Sequence, residues 1–144
     1  MSFGVQIDPQ YMFINTVTYS DERWLALALF KEGVNSRSVF YQFLNFWKVV
    51  ETAIKDKKNR WEWINLKVPE LQLHRERIQE IVQENTNIAE YLDYSCRCAI
   101  AHGFHEPIVN PDDYDDYVRI SQDVRVVQDL ARAAVKEFLP AAGS

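Results

Sequence analysis

SRSVFYQFLNFWKVVETAIKDK, residues 36 to 57, decides the fold. Val39, Phe43, Phe46, Val50 and Ile54 recur at three- and four-residue spacings, the signature of one apolar helical face. Phe40, Leu44 and Trp47 form a second stripe beside it that runs into Glu51. A helix apolar over most of its circumference belongs at the centre of a helical core. Glu51 is the exception, because an acid at the end of an apolar stripe is costly unless it sits at the rim or meets a buried cation.

Working outward, Ser20 followed by Asp21 and Glu22 supplies a cap and an acidic first turn for WLALALF, predicting a first helix over 21–32 that Gly33 and Asn35 break. After the central helix, KDKKNR at 55–60 reads as the solvated end of a helix, where lysines suit the dipole. WEWINLKV at 61–68 is a short aromatic segment before Pro69. Leu71, Ile78 and Ile81 then share a face with His74, which reads as a packed or half-exposed spacer. Asn85, Thr86 and Asn87 are capping candidates for a fourth helix from Ile88 to His102, stopped by Gly103.

The chain re-enters a helix after Asn110 and Pro111, and Val124, Val127, Leu130, Ala131, Ala134, Val135 and Phe138 make it amphipathic up to Pro140. Residues 1–19, with the β-branched run INTVT, read as an extended N-terminal arm, 20–139 as one helical domain and 140–144 as a tail. The expected architecture is an all-α, up-and-down bundle of about four to six helices.

With 144 residues, 47% of them apolar, the chain can bury one real core. It contains no apolar run long enough for a membrane span and no secretory signal pattern, so a cytoplasmic protein is expected. A net charge of −5 argues against a protein whose main task is coating nucleic acid, but leaves room for a local nucleic-acid site.

Chemistry concentrates in YLDYSCRCAIAHGF, residues 91–104. Cys96 and Cys98 are about 200° apart on a helix and cannot chelate one ion together. Cys98 and His102 share a face with His105 just beyond, yet no further ligand spacing completes a tetrahedral site, so no metal or cofactor is expected. Both cysteines lie late in their helix, where the dipole disfavours a thiolate, so packed, inert thiols are the expectation. Arg97 and His102 remain. A guanidinium can hold a phosphate through two parallel hydrogen bonds, and a histidine titrating near neutrality can take a proton from an RNA 2′-hydroxyl. The two lie about 140° apart on an ideal helix, so they converge only where the helix ends.

The string RCAIAH at 97–102, late in a helix and followed by Gly103 and Phe104, resembles the Arg-x4–6-His motif of the HEPN domain family. FYQFLNFWKVVE, with its late glutamate, is similar to the aromatic-rich second helix of such domains, and the likeness spans about residues 21–139. The resemblance implies a HEPN-like bundle and a homodimer with both Arg-His pairs in one cleft. It further implies metal-independent cleavage of RNA, with Arg97 and His102 catalytic, in a toxin or defence effector kept in check by an antitoxin or sensor protein. Glu51 would hold Arg97, Tyr94 would line the cleft, and Cys98 and His105 would flank the pair. Cys98 stands where active members usually carry a polar residue, and a thiol is a poor hydrogen-bond donor. The alternative is therefore a silent HEPN-like dimerisation or binding module, and accessory proteins of methylamine utilisation contain a similar RNAIAHG-like string.

Overall fold

The computed structural model describes residues 21–98, 100 and 113–141, and for Cys98 only the backbone. Among the described residues it is an all-α bundle without strands. Helix α1 spans Asp21–Asn35, α2 Val39–Ala53 and α3 Lys57–Lys67, followed by a 3₁₀ turn over Val68–Glu70. Helix α4 spans Arg75–Glu84. Helix α5 opens with one α-helical turn, Ile88–Glu90, and continues as a π-helical segment, Tyr91–Cys98; α6 spans Tyr114–Phe138.

The stripe on residues 39–54 does what its spacing demands. Phe43, Phe46, Trp47, Val49 and Val50 are fully buried, and α2 packs extensively against both α1 and α6. Burying side chains of this size stabilises the fold by roughly 1.5–3 kcal/mol each. From α6, Ile120, Val124, Val127, Leu130, Ala131 and Ala134 close the core from the other side. Ser38 caps α2 by accepting from the Tyr41 amide, at 3.4 Å. Asp113 caps α6 with one carboxylate oxygen on the Asp115 and Asp116 amides, at 2.8 and 3.2 Å.

Two boundaries depart from the sequence reading. Helix α1 runs through Gly33 to Asn35 rather than stopping at 32. Gly33 is there for space: a β-carbon on it would lie 2.6 Å from Cε1 of Phe46. The Phe46 ring is itself fully buried and packed against Phe30 at 5.2 Å, so it has little room to yield. Gly33→Ala gains about 1 kcal/mol of helix propensity but meets an overpacking cost of about 1–3 kcal/mol. A net loss of up to about 2 kcal/mol is expected, read as a lower urea midpoint at unchanged slope. A raised midpoint would show that Phe46 moves freely.

The second departure concerns KDKKNR. These residues begin α3 rather than ending a helix, with Asp56 as the cap, its carboxylate accepting from the Asn59 amide at 2.9 Å. Lysines at a helix N-terminus oppose the dipole, and two of the cations are used otherwise. Arg60 is 6% exposed and donates to the carbonyls of Ile54 and Lys55, at 2.9 and 3.1 Å, closing the end of α2. Lys57 leans over the rings of Trp61 and Tyr94.

His74 occupies the cap position of α4 with φ of 56°, the left-handed region, and its imidazole is half-exposed 3.6 Å from Asp129. The strand-like run INTVT and the end of the fourth helix at His102 and Gly103 lie outside the described residues.

Candidate functional site

Helix α5 is anchored by an asparagine pair. The Asn87 side chain accepts from the Glu90 amide at 3.0 Å as the cap, and Asn65 of α3 donates to Asn87 at 3.1 Å while accepting from the Ala89 amide at 2.9 Å. From that start the helix carries Tyr91, Asp93, Tyr94, Cys96 and Arg97 on a widened π turn. Arg119 of α6 donates from Nη1 to the Ser95 carbonyl at 3.0 Å, and a side chain entering the carbonyl row of a helix is an established cause of such local unwinding. Single π turns recur at functional sites.

Arg97 is held by Asp93. Nε and Nη2 of Arg97 both donate to Oδ1 of Asp93, at 3.1 and 2.7 Å. Asp93 is 1% exposed, and its other oxygen accepts from the Trp61 indole at 2.9 Å. The guanidinium of Arg97, 24% exposed, is thus oriented from beneath by a buried carboxylate. Beside it, Trp61 and Tyr94 meet edge to face with centroids 5.3 Å apart. The Lys57 ammonium sits 4.7 and 4.9 Å from their ring centres and donates to the Tyr94 hydroxyl at 2.7 Å. A cation over aromatic faces at such an exposed position gains about 0.5–1 kcal/mol.

The expected partnership of Glu51 with Arg97 is corrected. Glu51 is a rim carboxylate on α2 whose ion pair is with the nearly buried Arg60, at 4.0 Å. Both alternatives posed by its sequence position therefore hold at once: it sits at the edge of the core, and a buried cation meets it. Tyr94 packs against Trp61 and accepts from Lys57, and Trp61 in turn donates to Asp93. The Cys98 side chain, His102 and His105 fall outside the described residues.

Directly behind the segment lies a second polar cluster, centred on Asp123 of α6, which is fully buried. Arg77 donates from Nε to Oδ1 of Asp123 at 2.6 Å and from Nη2 to the Tyr91 hydroxyl at 3.1 Å. The Tyr91 hydroxyl donates to Oδ2 of Asp123, and the Cys96 sulfur lies 3.7 Å from that same oxygen. Arg119 reaches the Cys96 sulfur at 3.3 Å. Burial first, reinforced by the Asp123 carboxylate, pushes the Tyr91 phenol above its ordinary range, so it keeps its proton for Asp123. Burial, with Asp123 next, pushes the Cys96 thiol well up, which makes it a packed, unreactive group.

Sequence reading missed Asp93, Trp61 and Lys57 as neighbours of Arg97, and it missed the Asp123 cluster. Two signals were available. Asp93 precedes Arg97 by four, the spacing of a helical ion pair. Asp123 interrupts the apolar row Ile120, Val124, Val127, and an acid in such a row calls for a buried partner.

A family model described as methylamine utilization protein MauJ matches residues 26–136. No curated protein and no solved structure matches the chain.

Proposed function

The chain belongs to the MauJ family, and from the arrangement around Arg97 we propose that it is a HEPN-type, metal-independent endoribonuclease working as a homodimer. One observation carries the reading: the arginine of the Arg-x4-His string is fixed by a buried carboxylate on a π turn, beside a Lys57–Trp61–Tyr94 surface. In the proposed reaction a 2′-hydroxyl attacks the adjacent phosphorus, and the bond to the 5′-oxygen breaks. His102 takes the hydroxyl proton and returns one to the leaving oxygen, while Arg97 offsets charge on the pentavalent transition state. Lys57 adds attraction for the backbone, and the aromatic pair favours an unstacked base.

A second reading has its own support. The Asp93 carboxylate already neutralises much of the Arg97 charge, and the family description ties the chain to methylamine utilization, where a silent HEPN-like module would serve as an accessory dimerisation or binding protein. Incubating the purified protein with a mixed RNA in the presence of chelator separates the two. The nuclease reading expects fragments ending in a 2′,3′-cyclic phosphate and a free 5′-hydroxyl, and their loss in His102→Ala. A folded dimer that leaves the RNA intact selects the accessory module.

A further inference from the structure

A cavity of about 410 Å³ opens where the end of α4 leads into α5. Its volume is that of a small-molecule site, yet amides, hydroxyls and carboxylates dominate its walls, so an occupant must be matched by hydrogen bonds rather than by apolar area. Asn87, Glu90 and Tyr94 line it at spacings of three and four residues, the spacing of neighbours on a helix face. Arg97 follows three residues after Tyr94, roughly 4–5 Å further along the axis. Tyr94 also packs against Trp61 and accepts from Lys57, so the cavity and that surface meet at its ring.

Two groups on the wall are set for recognition. Oδ1 of Asn87 accepts from the Glu90 amide at 3.0 Å and from Nδ2 of Asn65 at 3.1 Å, which fixes the plane of the Asn87 amide. Among the described residues nothing accepts from Nδ2 of Asn87, so a donor of set direction is left over. The Glu90 carboxylate, on the same turn, has no partner among the described residues either and supplies two acceptor oxygens. Glu84 adds a second carboxylate to the wall, and the described lining includes no lysine, arginine or histidine. Such walls disfavour a phosphate and suit a neutral group with N–H donors.

We infer, building on the RNA reading of the Arg97 cluster, that this cavity takes a guanine base of the substrate. Guanine alone among the RNA bases presents two adjacent N–H donors, N1–H and N2–H, beside the O6 carbonyl on its pairing edge, and single-stranded bases are read on that edge. Glu90 accepts from N1–H and N2–H, while Asn87 donates from Nδ2 to O6. Adenine and cytosine set a ring-nitrogen acceptor against the carboxylate, and uracil flanks its one N–H with two carbonyls, so each leaves polar groups unpaired. Oligouridylates methylated at every 2′-oxygen cannot undergo 2′-hydroxyl attack, so they report binding without cleavage. With one central guanosine, inosine or adenosine, they are titrated with the intact protein and followed by fluorescence anisotropy. The guanosine oligomer is expected to bind about tenfold more tightly than the adenosine one, the size of a good bidentate base contact, with inosine, which lacks the N2 amino group, in between. Glu90→Gln, an exposed change whose folding is checked by its melting curve, should bring the guanosine and adenosine oligomers within about twofold of each other. Equal affinities in the parent protein, or a guanosine preference that survives Glu90→Gln, overturn this assignment and leave the reading of Arg97 standing. If no oligomer binds, the RNA reading itself falls, and this assignment with it.

Discussion

Arg97→Ala is expected to reduce metal-free RNA cleavage by on the order of 100-fold or more, the usual effect of removing one preorganised donor to a transition-state oxygen. Turnover and kcat/KM should fall together, because the guanidinium is proposed to act on charge that develops only during reaction. Arg97→Lys should recover little. An ammonium keeps the charge but cannot make both bonds that Nε and Nη2 make to Oδ1 of Asp93, so its direction is no longer set. Asp93→Asn supplies the complementary test, since it keeps an acceptor for Arg97 while removing the charge beneath it. A positioning role requires Asp93→Asn to lower turnover more than substrate binding. If Arg97→Ala cleaves as well as the parent while remaining folded, the nuclease reading fails.

These expectations rest on an arrangement only partly legible beforehand. The central helix could be read from residues 39–54 alone, because a period near 3.6 in large apolar side chains has few other solutions. The caps at Asn87 and Asp113 follow from local chemistry and lie near the predicted helix starts. Gly33 misled because glycine is both a helix breaker and the smallest residue, and only the position of Phe46 reveals which property is in use. The lysine run misled for a similar reason: a cation suits the end of a helix by dipole, but Lys57 sits at the start of α3 because two rings stand over it. Trp61 and Asp93 are brought together by α3 packing beside α5, and no spacing within either segment announces that contact. Arg97 could be singled out as a candidate from its string, whereas the carboxylate that holds it depended on which acid the folded chain turns inward.

Asp123→Ala is expected to remove about 3–5 kcal/mol of stability, the cost of leaving buried partners of an ion pair uncompensated. The carboxylate is fully buried, Arg77 is only 17% exposed, and the Tyr91 hydroxyl also spends its proton on Asp123. Against a total of about 5–15 kcal/mol for a domain, such a loss brings unfolding within reach of mild urea. Asp123→Asn keeps the shape and one acceptor, and should cost less, about 1–3 kcal/mol. The mechanism makes a sharper demand on a double variant. If the penalty comes from an orphaned guanidinium rather than an empty space, Arg77→Met combined with Asp123→Leu should be more stable than Asp123→Ala, because the buried charge has gone with its partner. Urea unfolding followed by tryptophan fluorescence and circular dichroism measures all three. A change within about 0.5 kcal/mol for Asp123→Ala would mean that water replaces the carboxylate, and that this cluster does not hold the π turn. Because Tyr91 and Cys96 of that cluster lie on the same segment as Arg97, a folded but less stable variant should also lose part of its RNA cleavage, through displacement of the arginine rather than loss of any reacting group.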